Sequence, residues 1–307
     1  NGEEAYISNM AGWGSQMPPD DGTKRIFMSE LIEPGKQYFY GLQVGATYKV
    51  TDKVSVFGGV RGVLAKCGYK GSIKGISADI KLPVGGIVLP QAVNSPDFEL
   101  NCNQKGFGIT PILGVDVNLG KLNLAAKYEF RTTINLKNKS VNSENLAKLA
   151  AVEESVKSFA DGQRVRSDIP ALLTLGAQYS ILDNVRVMGG FHYFFDKDAK
   201  GSATDVEKNT WEVTLGAEWD VNNWLTVSAG TQRTKYGFGQ NMQDTNFNVS
   251  STALCLGATF HVSKMVNINA GYMHNFYNEH TIERTAGITD TYTRKNDAVG
   301  VSVDLKF

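Results

Sequence analysis

The chain has 307 residues, and its 31 lysines and arginines are balanced by 31 aspartates and glutamates, giving a formal net charge of zero. That balance argues against a nucleic-acid partner, which would call for a basic surplus, and no stretch supplies the roughly eighteen consecutive apolar residues of a membrane helix. Mean hydropathy is −0.23, and the histidines and cysteines are scattered without metal-ligand spacing, so neither metal nor cofactor is expected.

In chain order, the first strong signal is residues 38–50. Tyr38, Tyr40, Leu42, Val44, Ala46, Tyr48 and Val50 fall on one side of an extended strand, with Gln37, Gln43, Thr47 and Lys49 among their polar neighbours. The turn Thr51-Asp52-Lys53 leads to a second such run at 54–66, and a long segment at 70–103 follows. Runs at 107–119 and 122–136 flank Gly120-Lys121; in the latter, Leu122, Leu124, Ala126, Tyr128 and Phe130 alternate with Asn123, Lys127, Glu129 and Arg131. After the long segment 138–166 the rhythm returns at 169–181 and 185–195 across Asp183-Asn184, and at 211–221 and 225–232 across Asn222-Asn223. It resumes at 254–262 and 266–276 across Ser263-Lys264-Met265, and ends at 298–307 with Val299, Val301, Val303, Leu305 and Phe307 in one phase.

Eleven runs of about nine residues or more are long enough to cross a bilayer as tilted strands. Their charged phase would not suit a packed soluble core; lipid on one face and water on the other suits both phases. The expected fold is therefore all-β, a transmembrane antiparallel up-and-down barrel. Short turns and long connections (70–103, 138–166, 197–208, 234–250, 278–295) alternate strictly, which assigns the turns to the periplasmic side and the loops to the outside. The 38–50 strand then descends, so residues 1–36 are expected to be an extracellular segment preceded by missing strands, with 37–307 forming the barrel. Aromatics gather near both strand ends, as two girdles would.

On the polar phase, Arg61, Asp116, Lys127, Glu129, Arg131, Arg186, Glu212 and Glu218 are expected to form lumen salt bridges, with Arg61, Lys127, Arg131 and Arg186 also able to meet a carboxylate head group. Cys67 and Cys102 sit at similar heights on neighbouring strands and are candidates for a disulfide stapling the loop base. Within the first long loop, residues 76–89 are too apolar to float in water: Leu82, Val84, Ile87, Val88 and Leu89 are the densest part. In the second, residues 143–160 read as a short helix capped by Ser143, with Leu146, Leu149, Val156 and Phe159 in a helical stripe. These two sets pack on one another, or in addition form a groove that receives an apolar chain.

Asp168-Ile169-Pro170-Ala171-Leu172-Leu173-Thr174-Leu175-Gly176-Ala177-Gln178-Tyr179, running into the hairpin at Asp183-Asn184, resembles a segment of the FadL-like outer-membrane transporters of fatty acids and other hydrophobic compounds. Gly41–Tyr48 with Val54–Val60, and Gly108–Val117 with Leu122–Tyr128, are similar in spacing. The resemblance implies a fourteen-stranded barrel in the intact protein, with the visible runs as strands four to fourteen, and an N-terminal hatch and a kinked third strand outside this sequence. It implies a bacterial outer-membrane protein for passive uptake of hydrophobic molecules such as long-chain fatty acids, the two long loops making first capture. Its partners would be a hydrophobic small molecule, outer-membrane lipid and lipopolysaccharide, and an outer-membrane protein. The alternatives are a structural or accessory barrel subunit, or a general diffusion porin. No catalytic residue is assigned, and an enzyme is not expected.

Overall fold

The computed structural model describes residues 24–84, 87–94, 97–149, 157–201, 206–237, 249–285 and 288–305. Its strands are β1 (Lys24–Lys49), β2 (Val54–Val84), β3 (Ile87–Asn94), β4 (Phe98–Asn118), β5 (Leu122–Glu129), β6 (Asn135–Ser140), β7 (Arg164–Arg166), β8 (Leu172–Leu182), β9 (Val185–Phe194), β10 (Thr210–Asn222), β11 (Leu225–Lys235), β12 (Ser251–His261), β13 (Val266–Tyr277), β14 (His280–Thr285), β15 (Ile288–Tyr292) and β16 (Lys295–Leu305). One described helix, α1 (Glu144–Leu149), joins them with a 3₁₀ turn at Asp196–Asp198. Hydrogen bonding orders eleven strands in a single path, β1-β2-β4-β5-β8-β9-β10-β11-β12-β13-β16, while β3, β6 and β7 attach to its extended members and β14-β15 form a separate hairpin. The eleven strands of that path are the eleven runs read from the sequence.

The short turns close on their own side chains. Thr51 Oγ1 accepts from the backbone N–H of Lys53 and Val54, Asn118 Oδ1 from Gly120, Asn222 Oδ1 from Trp224 and Leu225, and Ser263 Oγ from Met265 and Val266. These Asx- and ST-type turns satisfy donors that the ladder leaves open. Gly120 has φ of +79°, a conformation an L side chain disfavours.

Two compact units share the chain. One comprises the strand up to Gly41 with Val63–Gly108 and Ile134–Arg166; the other comprises Leu42–Gly62, Ile109–Thr133 and Ser167–Phe307. In the first, Val63, Ala65, Cys67, Cys102, Ile134, Leu136 and Leu146 are buried. Gly106 is required there, since a Cβ would lie 2.8 Å from both the Asn135 carbonyl and Ile134 Cγ2.

In the second unit the strands separate their phases. Register aligns Ala217, Ala229, Leu256, Tyr272 and Val299 in one row, and Trp219, Val227, Ala258, Ala270 and Val301 in the next. Val299 and Val301 are 78% and 73% exposed. A packed interior would have covered them; lipid is the medium in which such a face is stable. Among the described residues no helix is long and apolar enough to cross a membrane; the strands carry the apolar face.

Several boundaries differ from the sequence reading. The segment at 70–103 is largely paired, since β2 continues to Val84 and folds back on β3. The run at 122–136 breaks after Glu129, where Thr132 bridges Ile169 and β6 then pairs with β4 and β7. Backbone pairing with a neighbour overrides local composition in strands. The span expected as a segment before the barrel, 1–36, contains strand from Lys24 onward, and its earlier residues lie outside those described.

Candidate functional site

On the polar face of the second unit the side chains fall into three tiers. Nearest the short turns, Arg186 donates to Glu218 Oε2 at 3.1 Å and through both terminal nitrogens to Asp220 at 2.8 and 3.1 Å. Thr226 Oγ1 donates to Asp220 at 2.7 Å and meets His261 Nε2 at 2.9 Å. Nearest the loops, Glu212 accepts from Gln232 at 3.1 Å and Thr234 at 2.9 Å and pairs with His192 Nδ1 at 3.0 Å. Both tiers are satisfied networks, which fixes their geometry.

Between them lie rows dominated by glycines and apolar side chains. Register brings Met188, Gly216, Gly230, Cys255, Met273 and Ala298 side by side, and next to them Ser228, Gly257, Gly271 and Gly300. These residues line a hollow of about 550 Å³, within the range of small-molecule sites. Backbone, methyl, thiol and thioether groups dominate the lining, joined by Ser228 and by Glu218, whose carboxylate already accepts from Arg186, so an apolar guest meets few polar groups that it would have to desolvate. A second hollow of about 350 Å³ lies on the polar face between β1 and β8, lined by Phe57, Gly114, Ala125, Lys127 and Gly176.

The four polar residues singled out from the sequence divide. Arg61 Nη1 and Lys127 Nζ both meet Glu129, at 2.8 and 2.7 Å, and Arg61 also donates twice to Gln43 Oε1. Arg186 sits in the charged tier beside the larger hollow. Arg131, beyond the end of β5, is held by the Asp198 carbonyl and lies 3.8 Å from Asp168.

Of the loop residues, Leu146 is buried in the first unit, and Phe159, half-buried, packs edge-on against Tyr69 at 5.6 Å. Ser143 caps α1 as expected, its Oγ accepting from Leu146 N–H at 3.3 Å. Leu82, Val84, Ile87, Val88 and Leu89 lie on the β2-β3 hairpin, where Leu82 pairs with Leu89 and Val84 with Ile87; their side chains, that of Leu149, and Val156 lie outside the described residues.

Cys67 and Cys102 are both buried free thiols. Burial, then the neighbouring thiol, pushes Cys67 up, and burial pushes Cys102 up.

The hollow was not anticipated from the sequence. Its signal is faint but present: Gly216, Gly230, Gly257, Gly271 and Gly300 all occupy the polar phase of consecutive strands, a coincidence visible only once register is known.

The sequence pattern of Gram-negative porins matches residues 109–280. A 47 kDa outer membrane protein of Pasteurella multocida (strain Pm70) is 23% identical over 254 residues, covering 76% of this chain and 58% of that protein. The chain thus spans under two thirds of that relative's length. A Pseudomonas aeruginosa FadL homologue superposes with a TM-score of 0.63 at 15% identity, over 93% of this chain and 74% of its own. The Pseudomonas putida toluene transporter TodX does so with a TM-score of 0.56 at 14% identity, over 92% and 78%.

Proposed function

The chain belongs to the Gram-negative porin family, and from that premise, with the FadL-type transmembrane barrel fold, we propose that it conducts small hydrophobic molecules across the outer membrane through the glycine-lined hollow. The observation that carries this reading is the hollow itself, about 550 Å³ lined mainly by glycines and apolar side chains, with Glu218 of the charged tier at its border. A water-filled diffusion pore gains nothing from an apolar recess at mid-height. A hydrophobic solute does, since each buried methylene stabilises it by roughly 0.8 kcal/mol.

The tiers complement the recess. Because Arg186, Glu218 and Asp220 on one side and His192, Glu212 and Gln232 on the other are bonded to each other, a guest need not desolvate an unpaired charge to enter. Passage is passive: the solute leaves water for the recess and then partitions onward to lipid. The long loops at 70–103 and 138–166 make the first contact in this reading, and long-chain fatty acids and small aromatic hydrocarbons both fall within the substrate class. No covalent step is involved. His274, which faces the apolar side, pairs in register with Leu254 and Asp297, neither of them a hydroxyl nucleophile.

Uptake by the intact protein in proteoliposomes tests the proposal, using a labelled fatty acid, a labelled aromatic hydrocarbon and a labelled sugar. Phenylalanines at Gly271 and Gly300 would enter the recess without backbone clash, since the nearest atom to a Cβ on Gly271 is 3.8 Å away and none lies within 4 Å of one on Gly300. Losing two methylenes' worth of burial should slow hydrophobic uptake by about tenfold and leave sugar entry unchanged. Sugar entry equal to hydrophobic uptake in the unmodified protein would make it a general diffusion porin. No entry of any solute would leave a structural or accessory barrel.

A further inference from the structure

The apolar face of the second unit has an uncompensated cation at its loop end. Elsewhere in this unit, Arg61 meets Glu129 and Arg186 meets Glu218 and Asp220 on the polar face, and Arg131, beyond the end of β5, lies near Asp168. Arg233 differs. Among the described residues its guanidinium donates to two neutral oxygens, Thr252 Oγ1 at 2.9 Å and Asn278 Oδ1 at 3.1 Å, and meets no carboxylate. Those bonds aim the group without neutralising it.

Register puts Arg233 on the apolar face. It lies in one row with Val213, Thr252, Phe276 and Lys295, and Lys235, paired with Trp211, stands two residues further toward the loops. The row below contains Asp297, which accepts from Tyr272 and pairs with His274, both at 2.6 Å. Lys235 lines a polar recess together with Lys208, Asn278, Glu207 and Glu279. Among the described residues, the apolar face of β10 to β13 and β16 carries no charge below the Asp297 row, so the cations of that face stand at its outer end.

The height agrees with a headgroup level. Arg233 is eight residues from Leu225 at the turn end of β11, about 27 Å along the strand and about 20 Å vertically at the usual tilt, close to the outer edge of the roughly 25 Å apolar band. A cation there is tolerable only beside an anion or water. We propose that Arg233 and Lys235 dock a phosphate of an outer-leaflet lipopolysaccharide, whose acyl chains lie on the apolar rows beneath. Trp211 and Phe276 flank the site on either side, the residue types that occupy such interfaces. This inference uses the outer-membrane location and is independent of what passes through the lumen.

Native mass spectrometry of the full chain in nonionic detergent tests it, with bisphosphorylated lipid A, dephosphorylated lipid A and inorganic phosphate as probes. Arg233→Gln with Lys235→Gln should weaken lipid A binding roughly thirtyfold, the worth of two cations near a charged surface. Dephosphorylated lipid A should bind both forms alike. Equal lipid A affinity in the two forms would overturn the proposal, as would displacement of lipid A by inorganic phosphate at matching concentration, which marks a free-anion site. If the double variant does not fold, the unmodified protein decides: preference for lipid A over its dephosphorylated form, falling with added salt, supports the dock, and no preference ends it.

Discussion

Burial decides what an ion pair in this protein is worth. Glu129 is only 10% exposed at its side chain and accepts from both Arg61 and Lys127, whereas Glu144 and Lys148, an i,i+4 pair on α1, are 83% and 70% exposed. Removing Arg61 strands a largely buried carboxylate on one lysine and releases Gln43 as well. Arg61→Ala should therefore cost roughly 1–3 kcal/mol of unfolding free energy in denaturant titrations of the bilayer-inserted protein. Arg61→Lys should recover less than half of that, because an ammonium cannot reproduce the fork that reaches Gln43 and Glu129 together. Lys148→Ala, by contrast, should change stability by less than about 0.5 kcal/mol. An equal effect at the two sites would mean that the Arg61 cluster is solvated as freely as the helix pair.

At the scale of elements, glycines determine how closely strands carry their neighbours. Gly176 on β8 and Gly190 on β9 are direct partners on the polar face, yet they differ in what stands over them. A Cβ on Gly176 would meet nothing within 4 Å, while one on Gly190 would lie 2.5 Å from Thr214 Oγ1. Gly176→Ala should thus be neutral or stabilising by up to about 1 kcal/mol, since alanine loses less backbone freedom in a strand. Gly190→Ala must move the threonine from its rotamer and should cost about 1 kcal/mol, an effect that Thr214→Ala should abolish in a double-mutant cycle. Additivity of those two changes would show that the strands, not the hydroxyl, absorb the methyl. Such relations explain what was and was not legible in the sequence. Alternation at 38–50 or 298–307 reports a face, and turn residues such as Thr51, Asn222 and Ser263 report a reversal, so the eleven-strand path could be read directly. The extension of β2 past Cys67-Gly68 and the break after Glu129 are set by pairing partners far along the chain. The recess at Gly216, Gly230 and Gly271 was hidden for a related reason: a missing side chain leaves no chemical signature, and only register lines the gaps up. Ser143 was legible as a cap because capping is local.

At the scale of the whole molecule, the physical claim is that one face of the strands meets hydrocarbon and the other meets water, and adjacent residues of a single strand test it. Val301 lies in the row of Trp219, Val227, Ala258 and Ala270 near the middle of the apolar face and is 73% exposed. Ser302, its neighbour on β16, faces the other way, where its hydroxyl accepts from Asn269 Nδ2 at 3.1 Å. In a water-soluble sheet an arginine at Val301 would be harmless, because the position is open and a guanidinium is well hydrated. In a bilayer it must be carried to mid-depth, and Val301→Arg should cost about 2–4 kcal/mol measured by reversible unfolding from phospholipid vesicles. Ser302→Arg, which loses one hydrogen bond and gains access to the acidic Asp304 nearby, should cost no more than about 1 kcal/mol. The difference should vanish in detergent, where a thin micelle lets the arginine reach water. Comparable costs for the two substitutions in vesicles would mean that the apolar rows are not a lipid-facing wall.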